Sequence, residues 1–301
     1  MRRPQLVDLM LLVTVLLWAL NFTVTKYILT HGFHPLAYSA IRYGAAATIF
    51  AGITTVREGF PTLRRRRDLI AAAACAVFGI YLNQIGYVYA IRSTTATTVA
   101  LVLGVTPIVT ALIARVVGFE RLSSRFWLAA AASFGGVALV ALGSGGGVSG
   151  NVRGDLLALF TAATWATYSV AVAPLMRRYS PFRISAIVLL AGWIPLAATG
   201  AHQLATQRFD HLPALVWIGL VYALLGPLVV TNVLWFTAIE RVGPSRATLF
   251  ANIQPFFAAV FALLILGESM TRLQVAGGFA IAAGIGLAYR RRPVPAPQTT
   301  A

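Results

Sequence analysis

The sequence predicts an all-α membrane protein with ten transmembrane helices arranged as an inverted repeat of five plus five. Three observations carry that expectation: an apolar composition, ten spaced apolar runs, and uncommon residues that recur in order between the two halves. Of the 301 residues, 58% are hydrophobic and 11% charged, with a mean hydropathy of +0.79. Soluble domains average about 45–50% and about 25%. A helix needs about 20 apolar residues to cross a hydrocarbon core, so ten crossings use about 200 residues and leave little beyond short loops. This composition excludes a soluble globular enzyme and a disordered chain as the main reading.

The apolar runs fall at 7–29, 36–56, 69–90, 95–117 and 124–143, then at 155–174, 182–204, 213–239, 245–266 and 272–289. Residues 1–143 are thus expected to form one five-helix unit and residues 155–290 a second. A Gly/Ser-rich joint spans 144–154, and a disordered basic and Pro-rich tail spans 291–301. The first run is longer than the apolar core of a signal peptide, contains Asn21 and Lys26, and lacks a small-x-small cleavage pattern, so it reads as a retained helix.

The chain carries 24 Lys and Arg against 8 Asp and Glu, a formal net charge of +16. In a soluble protein that excess suggests nucleic acid. Here it sorts by side when the spans alternate. Arg2, Arg3, the Arg64–Arg67 cluster, Arg177, Arg178 and Arg290–Arg292 share one side, while Lys26, Arg92, Arg153, Arg208 and Arg272 take the other. The positive-inside rule then places both termini in the cytoplasm of a cell (inner) membrane, and nucleic acid is not an expected partner. Cys75, the one cysteine, lies in an apolar run, which excludes an intramolecular disulfide and a Cys-rich metal site.

The halves match at an offset of 146 to 148 positions. Asp8 and Trp18 pair with Asp155 and Trp165, Pro35 with Pro181, Ser39-Ala40-Ile41 with Ser185-Ala186-Ile187, Pro107 with Pro255, Glu120 with Glu268, and Gly136 with Gly284. Five spans per unit is an odd number, so the second copy enters the membrane from the opposite side. Carriers use such inverted repeats to exchange inward-open and outward-open shapes around a site at their midplane.

Trp18-Ala19-Leu20-Asn21-Phe22 with Lys26, Ala40-Ile41-Arg42-Tyr43, and the stretches from Thr106-Pro107 to Glu120-Arg121-Leu122-Ser123 and from Gln254-Pro255 to Gly267-Glu268-Ser269-Met270-Thr271 resemble the EamA branch of the drug/metabolite transporter superfamily. The resemblance runs from Asp8 to about Arg290 as two consecutive domains. It implies ten helices, a cavity between the halves, and export or exchange of small organic molecules. The second half departs from the first where Ala173 and Val188 replace Lys26 and Arg42, so those charges are not requirements of the repeat itself.

Polar groups in hydrocarbon cost several kcal/mol unless partnered, so those deep in spans are expected to face the interior. Trp18 and Asn21 share a helix face, as do their repeat partners Trp165 and Tyr168; Gln84 and Tyr87 correspond in the same way to Asn232 and Trp235. Together they form a candidate substrate site for a solute with an apolar body and polar ends. Filler and interhelical hydrogen bonding is the alternative reading. Pro107 and Pro255 are candidate hinges that free the carbonyls of Leu103 and Ala251, with Thr106, Asn252 and Gln254 placed to satisfy those groups or touch solute. Arg42, about 9 Å inside its span at 1.5 Å per residue, either faces the cavity or snorkels outward. Lys26 lies nearer the edge and is expected to snorkel.

No Asp or Glu falls in the middle of a span, and His31, His34, His202 and His211 lie in or near outer loops. This leaves facilitated transport, or coupling through the solute's own proton, as the expectation. Gly147-Val148-Ser149-Gly150 has the form of an intramembrane serine-protease motif but lies in a Gly-rich loop with no His in any span. His31 and His34 lack a nearby third metal ligand, and no Gly-rich loop precedes Lys-Ser/Thr for ATP. The expected partners are a small-molecule solute and the bilayer, with no cofactor and no enzymatic activity. The substrate class expected is an amino acid or similar amphipathic or zwitterionic metabolite. The alternatives are a multidrug or lipophilic-compound exporter and, from another class, a non-transporting membrane enzyme or scaffold.

Overall fold

A computed structural model describes residues 6–63, 65–118, 124–143, 152–242 and 253–289. Most of the 144–154 joint, the 291–301 tail, Glu120, Ala251 and Asn252 lie outside the described residues. Secondary structure among the described residues is helical throughout. The helices are α1 (Leu6–Thr30), α2 (Pro35–Glu58), α3 (Arg66–Ser93), α4 (Ala96–Val116), α5 (Ser124–Gly143), α6 (Val152–Met176), α7 (Pro181–Thr206), α8 (214–242), α9 (Gln254–Leu266) and α10 (Arg272–Tyr289). Helix α6 begins at Val152, so the last residues of the expected joint are helical.

Among the described residues seven helices are long and apolar enough to cross a membrane: α1, α3, α4, α5, α6, α7 and the Ala214–Trp235 stretch of α8. Shorter apolar stretches are Gln254–Leu266 and Arg272–Leu287. Helix α2 is less apolar because it carries Arg42, Arg57 and Glu58. Large apolar side chains such as Trp127, Leu128, Ile218, Phe256 and Phe279 are exposed on the outside of the bundle, as a hydrocarbon surround requires.

Two helices are locally underwound to a wide turn. Cys75–Leu82 in α3 and Leu225–Val230 in α8 are π-helical. In α8 the cause is Pro227, which lacks the N–H needed for the regular ladder. Position 79 in α3 is Gly, and the ring of Tyr168 from α6 lies directly against it. Helix α4 breaks at Gly104-Val105, and Pro107 opens its second segment, where a proline's missing donor is tolerated. The Leu103 carbonyl left over at that break accepts from Thr106 Oγ1 at 2.5 Å, one of the two roles expected for Thr106.

Packing follows a simple scheme. Helix α1 lies against α8 and α9, α6 against α3 and α4, α2 against α7, α5 against α10, and α4 meets α9. Exchanging each helix for the one five places along maps this set onto itself.

One end of the bundle gathers the 30–35, 93–96 and 207–213 connections and the turn before α10. There Gln207 Oε1 accepts from His34 N at 2.7 Å and its Nε2 donates to Gly32 O at 3.1 Å. The Glu268 carboxylate accepts from Ala96 N (2.9 Å), Thr97 N (3.0 Å) and Thr97 Oγ1 (2.9 Å), capping the first turn of α4 from the other half of the chain. Lys26 Nζ donates to the carbonyls of Ile91 (2.8 Å) and Thr94 (2.7 Å) at the end of α3. Lys26 therefore does not snorkel; it serves the negative end of one helix while Glu268 serves the positive end of the next. At the opposite end Asp68 accepts from Arg178 (2.5 Å) and Tyr179 (2.8 Å), and Glu58 accepts from Ser180 (2.7 Å).

Helices α5 and α10 approach closely enough for backbone to meet backbone. A Cβ built on Gly136 would lie 2.6 Å from the Gly277 carbonyl oxygen, whereas one on the adjacent Gly135 meets nothing within 4 Å. Gly136→Val is therefore expected to destabilise the bundle by about 1–3 kcal/mol, read as a lower melting midpoint in detergent, while Gly135→Ala leaves the midpoint unchanged or higher. Equal midpoints for the two variants would contradict the close packing of this pair.

Candidate functional site

The polar residues of α1, α2 and α3 are brought to one place by helical spacing. Asn21 and Thr25 are four apart on α1, Tyr38 and Arg42 four apart on α2, and Gln84 and Tyr87 three apart on α3, so each pair shares a face. Arg42 is buried, with 4% of its surface exposed. Its Nη1 donates to Tyr38 Oη at 2.9 Å, and its guanidinium carbon lies 5.5 Å and 5.4 Å from the ring centroids of Tyr38 and Tyr43. Tyr38 Oη is in turn hydrogen-bonded to Thr25 Oγ1 at 3.1 Å. No carboxylate forms an ion pair with Arg42 among the described residues.

Asn21 Nδ2 donates to Tyr87 Oη at 3.1 Å, and Gln84 Nε2 to the neighbouring Asn83 Oδ1 at 3.4 Å. Asn83 Nδ2 reaches across to α6, donating to Thr161 O at 3.0 Å and Thr164 Oγ1 at 3.2 Å. Three buried polar atoms in this neighbourhood have no partner in the protein: Asn21 Oδ1, Gln84 Oε1 and Arg42 Nε. Leaving such atoms buried and unpaired costs about 1–3 kcal/mol each, more where charge is involved.

Of the residues singled out from sequence, Asn21, Arg42 and Tyr87 are therefore neighbours, and Gln84 lies one helical turn from Tyr87 on the same face of α3. Trp18 and Trp235 form a second group: their ring centroids are 5.1 Å apart, and Trp18 Nε1 donates to Thr231 Oγ1 at 3.0 Å and Pro227 O at 3.3 Å. The rings of Trp165 and Tyr168 lie 5.1 Å apart, tilted by 42°, with Trp165 41% exposed. Asn232 Nδ2 donates to Leu228 O of its own helix at 2.5 Å, and the residue lines a cavity of about 90 Å³ with Phe50, Pro181, Phe182, Ser185 and Thr237. Phe182 and Val233 also border an adjoining cleft of about 460 Å³ against Gly52, Ile53 and Val56 of α2. Phe50 and Phe182, with centroids 6.4 Å apart, line the smaller cavity, and Phe50 lies two helical turns along α2 from Arg42. Gln254 and Pro255 open α9, and Gln254 is half-buried.

Sequence reasoning missed the tyrosines. Tyr38 is not singled out there, and Tyr43 enters only within the Ala40-Ile41-Arg42-Tyr43 stretch; the signal available was Tyr38 lying four residues before a mid-span arginine, on its face.

A helical bundle that is apolar outside and turns a guanidinium and amides inward is a polytopic membrane protein, and the likeness of this chain to known proteins gives the class. The chain belongs to the EamA-like transporter family, whose model matches residues 5–142 and 152–290. It is a transporter and not an enzyme. Among its relatives is the uncharacterized transporter YyaM of Bacillus subtilis, 22% identical over 274 residues (88% of this chain, 87% of that protein). Another is a protein of Streptantibioticus cattleyicolor named a probable terminal-alkyne amino-acid exporter, 27% identical over 286 residues (93% and 92%). The uncharacterized inner membrane transporter YedA of Escherichia coli is 26% identical over 288 residues (91% and 88%). A solved crystal structure shares the fold with a TM-score of 0.63 at 18% identity, covering 94% of this chain and 96% of its own.

The Tyr87 hydroxyl is the acceptor that holds Asn21. Tyr87→Phe is expected to strand the Asn21 amide in the interior and to lower unfolding stability by about 1–3 kcal/mol, measured by thermal unfolding of the purified protein. Tyr87→Phe with unchanged stability would show that Asn21 finds another partner.

Proposed function

We propose that this protein is a carrier of the cell (inner) membrane that exports or exchanges a small organic metabolite, an amino acid or similar amphipathic, zwitterionic solute, by alternating access. The ten helices cross the membrane as an inverted five-plus-five repeat with both termini in the cytoplasm. The self-consistent exchange of helix contacts and the equivalent placement of Cys75–Leu82 and Leu225–Val230 support this repeat. So does the chain's direction: α1 ends where the loops tied by Gln207 and Glu268 gather, and α6, its counterpart, begins at that end, with Gly154 against Thr94.

The observation that carries the solute reading is Arg42, buried without a carboxylate partner inside a family of transporters. A guanidinium in such a place is favourable for an anion that arrives from outside the protein. Its tyrosine cage supplies apolar faces and hydroxyls for the rest of a small amphipathic solute. The relative named a probable terminal-alkyne amino-acid exporter agrees with that choice. In this conformation the end tied by Glu268 and Gln207 is shut, and the cleft between α2, α7 and α8 opens at the other. Exchange of access requires those ties to part while Phe50 and Phe182 close over the cleft, with Pro107 and Pro255 at the bends.

The test is counterflow into liposomes loaded with a panel of amino acids. Arg42→Ala is expected to weaken apparent affinity by about 10- to 100-fold, the loss of one charged hydrogen-bond set at about 1.5–3 kcal/mol, with its folded yield retained. Transport per folded molecule equal to that of the parent protein would overturn the assignment of Arg42. Failure of the whole panel to exchange would overturn the solute class.

A further inference from the structure

We propose that the buried cluster around Tyr87 reads both poles of a zwitterion, with Arg42 taking a carboxylate while the side-chain oxygens of Asn21 and Gln84 together take an ammonium group. This inference rests on the carrier reading above and adds how the solute is oriented and what is refused.

The unpaired atoms of this cluster complement the two poles of a zwitterion. Arg42 Nε is a cationic donor without an acceptor, and Asn21 Oδ1 and Gln84 Oε1 are acceptors without a donor. All three side chains are more than nine-tenths buried, Asn21 at 8%, Gln84 at 5% and Arg42 at 4% exposure, so bulk water does not serve them. Each amide already commits its nitrogen to the protein, Asn21 to Tyr87 Oη and Gln84 to Asn83 Oδ1, which leaves both carbonyl oxygens as unpaired acceptors. Tyr87 links the three: it is bonded to Asn21, lies one helical turn from Gln84, and sits within electrostatic range of the Arg42 guanidinium.

A carboxylate alone satisfies Arg42 and leaves both acceptors empty, because an ionised carboxylate has no hydrogen to donate. A hydroxyl in place of the amine has one hydrogen and can serve only one of the two. An ammonium has three donors and can serve both at once. An amine without a carboxylate meets the guanidinium as a like charge. The arrangement therefore prefers a molecule carrying both groups close together over its one-pole analogues.

Wild-type protein in detergent would be titrated calorimetrically with leucine and phenylalanine. For each, three analogues follow: the 2-hydroxy acid, the acid lacking the amine, and the amine lacking the carboxyl. The expected result is binding of the amino acid, weaker binding of the hydroxy acid, and affinities lower by about 100-fold for the acid and the amine, as sites built around paired polar groups refuse analogues that lack them. Gln84→Met and Asn21→Leu, checked for folding by size exclusion and melting, are expected to shrink the gap between amino acid and simple acid to about tenfold or less. The wild-type series stands by itself if either variant fails to fold. Equal affinity of the acid and the amino acid overturns the two-pole reading, and leaves the carrier reading intact if that acid exchanges in liposomes. An unchanged gap in both folded variants also overturns it. Absence of binding and of exchange for every compound overturns both readings.

Discussion

A guanidinium inside a bundle of apolar helices constrains everything around it. Desolvating such a charge is unfavourable by several kcal/mol even after relaxation, and Arg42 is met by tyrosine rings and one tyrosine hydroxyl instead of a carboxylate. Those rings must come from somewhere, and α2 supplies two of them itself. The hydroxyl has to be held in place, which Thr25 of α1 does. The first three helices are thus bound to one another through polar atoms at the level where the rest of their surface is apolar. Asn83 then carries the same network across to Thr161 and Thr164 of α6.

Elsewhere the halves are joined by different means. Helices α5 and α10 touch backbone to backbone through Gly136 and Gly277, the small-residue packing that lets helices associate in lipid where no hydrophobic drive exists between them. Helices α2 and α7 are locked by an indole N–H, Trp193 Nε1 donating to Ala40 O at 2.9 Å. The α3 and α8 helices keep wide turns directly before Asn83-Gln84 and Thr231-Asn232, the polar pairs that enter the interior. Wide turns are characteristic of helices bent for function.

Much of this was legible in the residues. The apolar runs place the helices because hydrocarbon admits few other backbone structures. The depth of Arg42 singled it out while leaving cavity-facing and snorkelling both open, and the spacings of Trp18 with Asn21 and Gln84 with Tyr87 put each pair on one face. What the spacing could not tell was which faces meet. Trp18 turns to α8 and bonds Thr231, Asn232 folds back on Leu228, and Trp165 is exposed. These outcomes depend on helix rotation and on the π turns, neither of which is written in a periodic pattern. The role of Lys26 was hidden for a similar reason. Its partners are main-chain carbonyls, which every sequence has and none advertises.

The Glu268 cap has a consequence for how this family can vary. Two of its three donors are peptide amides of residues 96 and 97, and they persist for every residue type but proline. Short of a proline, drift at these first two positions of α4 can remove no more than the threonine hydroxyl. Position 268 is accordingly where a single substitution would release this tie between the two halves of the chain while the hydrogen bonds around Arg42 stay as they are.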